Sequence, residues 1–401
     1  MKRSATRRAA VAAATLAASV LCTAALRGAE VDTARQPAQV RYRITLLGSL
    51  GGSPSRGNSI NNGCWIAGYS SLSGNASRHA TLWLYDSVID LGTLGGPNSS
   101  VAWPVKNNIG AIAGVAQTDQ PDPLGENWSC SAFFTPATAT GKTCLGFVWK
   151  WGAMHALPTL GGNNGFATGA NNLGEVAGWA ENTVHDPTCV APQVLQFRGV
   201  VWGPGKHQMR ELPPLPGDTS GAATALNDRG QVVGISGTCD QAVGRYTAAH
   251  AVLWERGHVT DIGNLGGNAW NTPMAINARG DIVGFAGQAG DDPDNPRLRA
   301  FAWTRRGGMQ NLGLLAGDFL SQANGLNERG QIVGVSCDAN GGCRAVVFQN
   351  GAPVDLNTLV APGFQGTLLS AQDINDLGVI TGRAFDPATG TRPTFVATPI
   401  P

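Results

Sequence analysis

Charge is sparse in this 401-residue chain. Asp, Glu, Lys and Arg make up 14% of it, with 28 basic side chains against 27 acidic ones. Lysine is especially sparse, and no basic stripe is present to hold nucleic-acid phosphates or an anionic membrane surface. Helical periodicity is nearly absent, which argues against a helix bundle. No Cys-x-x-Cys or His-x-x-x-His spacing points to a metal site. Serine-nucleophile, phosphate-loop and dinucleotide fingerprints are missing as well. Glycine, by contrast, is abundant at 55 residues, as expected of a chain of short strands and tight turns.

One unit recurs seven times. Its clearest copy is Leu226-Asn227-Asp228-Arg229-Gly230-Gln231-Val232-Val233-Gly234, and its Asn returns as Asn61, Asn107, Asn171, Asn227, Asn277, Asn327 and Asn375. A Gly follows each Asn seven residues later, from Gly68 to Gly382, and six copies also have Gly three residues after the Asn; the first has Cys64 there. Asn-x-x-Gly between apolar runs reads as a tight hairpin: the Asn side-chain oxygen caps the turn, and Gly supplies a positive φ. The Asn residues are spaced by 46, 64, 56, 50, 50 and 48. A period near fifty suits a propeller blade of four strands, lettered a to d from the channel outward. In the fourth copy these strands are expected at 222–226, 231–236, 248–254 and 258–265.

Residues 1–29 read as a signal peptide: Lys2, Arg3, Arg7 and Arg8 precede an Ala-rich apolar stretch that ends in small residues. Its removal takes away five basic residues and no acidic ones, so the net charge falls from +1 to −4. A secreted or periplasmic monomer is expected, with no nucleic-acid partner and no membrane attachment once the signal is gone. Residues 30–40 read as a linker, and 41–401 as a single propeller domain.

Seven of the eight cysteines lie beyond the signal. In an exported protein they suggest disulfides, with Cys130/Cys144, Cys189/Cys239 and Cys337/Cys343 as the candidate pairs and Cys64 left over. The third strand of each copy tends to start with a basic residue and place an aromatic four positions on, as in His79…Trp83, His250…Trp254 and Arg299…Trp303. The expectation is a Trp packed between blades and a basic group covering the neighbouring backbone. The fourth strand is expected to carry Asp90-Leu91-Gly92-Thr93-Leu94-Gly95-Gly96, repeated as Asp261-Ile262-Gly263-Asn264-Leu265-Gly266-Gly267. Copy seven ends at its third strand, near 393–398, whereas the mature chain starts with a fourth strand, 41–47, that has no blade before it. Pairing the two closes a ring of seven four-stranded blades.

The order Asp-Leu-Gly-Thr-Leu-Gly-Gly, then Ile-Asn-x-x-Gly-x-Ile-Val-Gly, then His-Ala-x-x-Trp resembles the HAF-repeat family of bacterial extracellular proteins, over about residues 41–400. The namesake triplet survives as His79-Ala80, His250-Ala251 and Arg299-Ala300-Phe301. The resemblance implies extracellular location and repeat identity, and no activity. The Gly-Gly pairs are also similar to kelch repeats, whose Tyr and Trp positions are missing here.

In a symmetric ring, function belongs where the symmetry breaks. The Asn-x-x-Gly turns share one end, expected to be flat and tight, with the c–d turns. The opposite end receives the d–a connections and the long b–c loops 117–144, 181–198, 237–249 and 287–298. It also receives the unmatched rings Trp103, Phe166, Trp270, Phe319 and Phe364, which are the expected contacts for a glycan or protein ligand. Asp119, Asp122, Glu126, His185, Asp186, Asp218, Asp291, Asp292, Asp294 and Asp318 are loop groups from which a lyase or hydrolase would draw an acid/base pair. No cofactor is expected; calcium at Asp291-Asp292-Pro293-Asp294-Asn295 is an alternative that lacks the turn glycine of an established loop. Three readings follow: a binding module, a structural or surface-display ring, and a carbohydrate-active enzyme. Two buried carboxylates facing one another across the channel mouth, with raised pKa, would favour the last.

Overall fold

The computed structural model describes residues 40–126, 133–134, 138, 141–205, 208–242, 248–292 and 294–400. The signal peptide, all of the linker but Val40, and Cys130 lie outside the described residues. Those residues form seven four-stranded antiparallel sheets. In six of them the four strands are consecutive. In the seventh they are not: Arg41–Leu46 is its outer strand, followed inward by Thr394–Ile400, Ile380–Phe385 and Thr367–Ile374. Its register runs from Arg41 opposite Ile400 to Leu46 opposite Phe395. The first strand thus completes the last blade, as the strand count predicts.

Blades 1 to 7 begin at residues 51, 95, 165, 220, 272, 320 and 367. The a strands of blades 3 to 7, and then that of blade 1, pack in succession around the channel. The outer strands of blades 1 to 6 are only four residues long and largely unburied, which leaves little sheet edge open to pairing. The core lies between blades: Phe147, Phe301 and Phe395 have no exposed surface, and each contributes about 2–3 kcal/mol by burial.

The repeated glycines have two separate causes. Gly110, Gly174, Gly230, Gly280, Gly330 and Gly378 have φ between 73° and 86°, and Cys64 takes the same turn position at 58°. The later glycine is a matter of space. Each a strand is irregular in register, as at Ala223/Ala225, and this brings a carbonyl against the b strand. A Cβ on Gly234 would lie 2.0 Å from Ala222 O, and one on Gly178 would lie 1.9 Å from Phe166 O.

The repeat Asp-Leu-Gly-x-Leu-Gly-Gly is for the most part not strand. In blade 4 the strands are Ser220–Leu226, Val232–Gly237, His250–Glu255 and His258–Asp261, so the fourth ends at the Asp rather than at Leu265. The Asp that heads the repeat explains why: the Asp261 carboxylate accepts the Gly263 N–H at 2.7 Å, and Asp90 accepts that of Gly92 at 2.8 Å, turning the chain out of the sheet. The same carboxylates take the histidines of strand c, with His79 Nδ1 2.9 Å from Asp90 and His250 Nδ1 2.9 Å from Asp261. The basic residue therefore pairs within its own blade; in blade 5, however, Arg299 donates to Phe319 O, as a backbone-covering group would. The tryptophans do join blades. The indoles of Trp83, Trp202 and Trp254 donate to Gly48 O, Pro158 O and Pro213 O of the preceding blade at 2.8, 2.9 and 2.6 Å.

Candidate functional site

The turn end is held by two concentric sets of bonds. Asn227 Oδ1 accepts the N–H groups of Arg229 and Gln231, and its Nδ2 donates to Asn277 O of the next blade at 2.9 Å. Asn171, Asn277, Asn327 and Asn375 reach their next blade in the same way. The residue after each Asn makes the outer set. The N–H groups of Asn62, Asn108 and Asn172 donate to Asn108, Asn172 and Asp228, and those of Ala278, Glu328 and Asp376 donate to Glu328, Asp376 and Asn62. Ala278, lacking an acceptor, is the gap in this ring.

Inside these bonds lies a cavity of about 270 Å³. It is rimmed by the Asn and acidic side chains and floored by Ile60, Leu226, Ile276, Leu326 and Ile374. The turn end is therefore not the flat surface expected of it, because the a strands splay around a channel there. Lys106 breaks the apolar floor. Its ammonium pairs with Asp373, whose side chain is fully buried, and donates to Ile374 O at 2.8 Å. Asp373 also accepts the N–H groups of Ile60 and Ile374 at 2.9 and 2.8 Å. Burial holds its carboxyl above the ordinary range even against the Lys106 charge.

At the other end the loops are tied to one another. A disulfide joins Cys189 in the b–c loop of blade 3 to Cys239 in that of blade 4, and a second joins Cys337 to Cys343 within blade 6. Cys144 is disulfide-bonded, and so is Cys64, which the pairing by sequence leaves over. Glu126, from the blade 2 loop, accepts the N–H groups of Val194 and Leu195 in the blade 3 loop.

Of the five expected contact rings, Trp103 and Phe166 come together, edge to face at 5.4 Å. They belong to a cluster with Phe133 and Trp179, in which Phe166 stacks on Trp179 at 4.4 Å and is completely buried. Trp103 is half-buried. Trp270, Phe319 and Phe364, also half-buried, sit at the entrances to blades 5, 6 and 7.

Most of the loop acids carry structure. Asp186 caps Thr188; burial would raise its carboxyl, but hydrogen bonds from Thr188, Thr219 and Gln196 outweigh that and lower it. Asp218 accepts from Ser236, Asp318 pairs with Arg344, and Asp291 pairs with Arg297. His185 is exposed, Asp119 accepts from Gln120, and Asp292 accepts the Asp294 N–H. Among the described residues no group of three or more His, Cys, Asp or Glu is placed to hold a metal ion. Two carboxylates do meet. Gln193 Nε2 donates to Glu126 Oε1 at 3.2 Å and to Glu181 Oε1 at 3.0 Å. Burial, with the Glu126 charge adding to it, pushes Glu181 up to about 7. Glu181 is 3% exposed and Glu126 1%, so their surroundings are the protein's own amides rather than solvent.

Four arginines missing from any list of loop residues gather at the junction of blades 7 and 1. Arg78 and Arg56 lie over the Tyr69 ring, 4.6 and 5.4 Å from its centroid, and Arg383 donates to the Tyr69 hydroxyl with Arg392 nearby. Burial alone would raise the Tyr69 phenol; the charges of Arg56, Arg383 and Arg78 bring it below its ordinary value. Burial lowers Arg78 and Arg383. The Nε atoms of Arg56, Arg78 and Arg383 are buried without a hydrogen-bond partner. Among the described residues none of the four is in an ion pair.

No family model matches the chain, and no curated protein matches it. Among solved structures it is similar to the acylaminoacyl peptidase of Pyrococcus horikoshii, at 11% identity over 89% of this chain, with a TM-score of 0.48. It spans about half of that peptidase, 51%. It is also similar to the β-propeller domain of the Trilobed protease from Pyrococcus furiosus, at 10% identity over 74% of this chain and 79% of that one, with a TM-score of 0.45. The Aleuria aurantia lectin is a third, at 13% identity over 68% and 77%, with a TM-score of 0.34. At these identities no inference about activity is drawn from them.

Proposed function

We propose that the protein is an exported, monomeric binding module of HAF-repeat type that takes a glycan or protein ligand at its looped face. One observation carries this reading: the b–c loops of blades 2, 3 and 4 are fastened to each other across blade boundaries. The Cys189–Cys239 disulfide does this between blades 3 and 4, and Glu126 does it between blades 2 and 3. The ring closes through its own strands and does not require loops joined in this way. A ligand does gain, because a pre-ordered surface spares it the entropy of arranging one. The disulfides also support an extracellular or periplasmic setting. Among the described residues no helix is long and apolar enough to cross a membrane.

A glycan array probed with the mature protein tests the glycan half of the reading. Saturable binding that weakens at least tenfold when Cys189 and Cys239 are both replaced by serine supports it. Absence of binding to every glycan, and to extracellular matrix and cell-surface preparations, refutes it in favour of a structural or surface-display ring.

A further inference from the structure

Comparing the blades position by position isolates the arginines at the blade 7–blade 1 seam. Arg383 follows Gly382, where the b strands of blades 1 to 6 have Tyr69, Val115, Trp179, Ile235, Phe285 and Val335. Arg78 and Arg392 occupy equivalent places in blades 1 and 7; blades 2 to 6 have Cys144, Phe197, Ala249, Leu298 and Cys343 there. Arg56 stands where the other inner strands have Ser100, Phe166, Ala222, Thr272, Gln322 and Ser370. Five blades build themselves with no basic residue at any of these positions, so the fold does not need them.

Their arrangement is costly without a partner. Half-buried guanidinium groups repel one another at this range, and three Nε–H groups are hidden from water with no acceptor. The terminal Nη–H groups, which are not among these buried unpartnered atoms, are the donors left to meet an oxyanion. Tyr69, a floor of the site, offers a single oxygen. The mature chain is otherwise net acidic, at −4 by the sequence count, so this is a local concentration of the minority charge.

We propose that the seam between blades 7 and 1 is an oxyanion subsite of the looped face, and that the glycan it receives is acidic, bearing carboxylate or sulfate groups. The glycan part rests on the binding reading above; the oxyanion part stands on the arginines alone. Calorimetric titration of the mature protein with four probes tests both: a uronate oligosaccharide, a sulfated oligosaccharide, an uncharged oligosaccharide of equal length, and sodium sulfate. The expected result is binding of a charged saccharide at least tenfold tighter than the uncharged one, weakening steeply with salt. Whichever charged probe binds tighter identifies the group.

Arg383→Val and Arg56→Ser restore residues already found at the equivalent positions. Each should reduce that affinity at least tenfold without lowering the thermal midpoint, which separates lost binding from lost folding. Equal affinity for the uncharged probe, or wild-type affinity in both variants, overturns the oxyanion subsite and leaves the binding reading standing. Sulfate binding that depends on Arg383, with no saccharide bound, supports the oxyanion subsite and overturns its glycan occupant. No binding of any probe overturns both.

Discussion

Replacing Lys106 by leucine would give blade 2 the kind of residue that the other inner strands already have there, as in Leu226 and Leu326. By hydrophobic pattern alone the change should be harmless. The structure predicts the opposite, because the ammonium balances Asp373, a carboxylate with no exposed side-chain surface. Without Lys106 two N–H donors, those of Ile60 and Ile374, are left to hold a buried charge. Breaking a buried pair on one side costs about 3–5 kcal/mol. At about 2.1 cal/mol/K per residue over roughly 360 residues, that is a fall of about 4–7 °C in Tm. The penalty should also depend on pH. Burial already raises the Asp373 carboxyl, and removing Lys106 raises it further, so the folded variant binds a proton more tightly than the unfolded chain. Stability is then present at low pH and lost as pH rises through the folded pKa, making the variant weaker at pH 8 than at pH 5. Adding Asp373→Ala, the residue type of Ala225 and Ala275 at the equivalent position, should bring the double variant to within about 2 kcal/mol of wild type. Urea unfolding followed by tryptophan fluorescence measures the wild type, the Lys106→Leu and Asp373→Ala single variants, and the double variant. A single variant that costs under about 1 kcal/mol, or a double variant worse than the single, would refute the argument.

Gly234→Ala should destabilise by about 3 kcal/mol because its Cβ meets Ala222 O at 2.0 Å, whereas Gly230→Ala, in open space at φ 73°, should cost about 1–2 kcal/mol; thermal denaturation ranks the two. Asn227→Ala removes two turn bonds, one bond to the Gln231 side chain and one to the next blade, a loss of about 4 kcal/mol at ~1 kcal/mol each, read by the same assay. Glu181, raised from 4.5 to about 7, contributes stability that is full below pH 4.5 and is lost as pH rises through 7; Glu181→Gln should flatten the fall in urea midpoint between pH 5 and pH 8.

The ring was legible in the sequence because its signals are local and recur. Asn227 and Gly230 declare a turn within four residues, and a missing fourth strand at one end of the chain is answered by a surplus one at the other. The reason for Gly234 was not legible, since it depends on an irregular register in the neighbouring strand. Nor was the bond by which Asn171, Asn227, Asn277 and Asn327 each reach a carbonyl about fifty residues away. The Asp-Leu-Gly-Gly repeats read as strand because they are regular, yet the Asp side chain ends the strand by taking the next Gly N–H. The arginine cluster was not legible in the loops, because Arg56, Tyr69, Arg78 and Arg383 lie inside strands. Closure of the ring brings Arg383 beside residues more than three hundred positions earlier. A signal was present all the same, as a charged residue in a column of the repeat that is apolar in most other blades.

Ring closure by the first strand is the claim on which the faces, the seam and the subsite all depend, and a cross-link tests it most directly. Leu47 N–H donates to Thr394 O, and three residues along, Ile44 lies opposite Ala397 at a non-hydrogen-bonded position, where the Cα atoms come closest. Cysteines at Ile44 and Ala397 should form a disulfide in the oxidised protein, identified by peptide mapping, and raise its melting temperature. Free thiols at both positions in the folded protein, or a bridge formed equally well from Ile44 to a cysteine at Ile374 on the inner strand of the same blade, would contradict the closed seven-bladed ring.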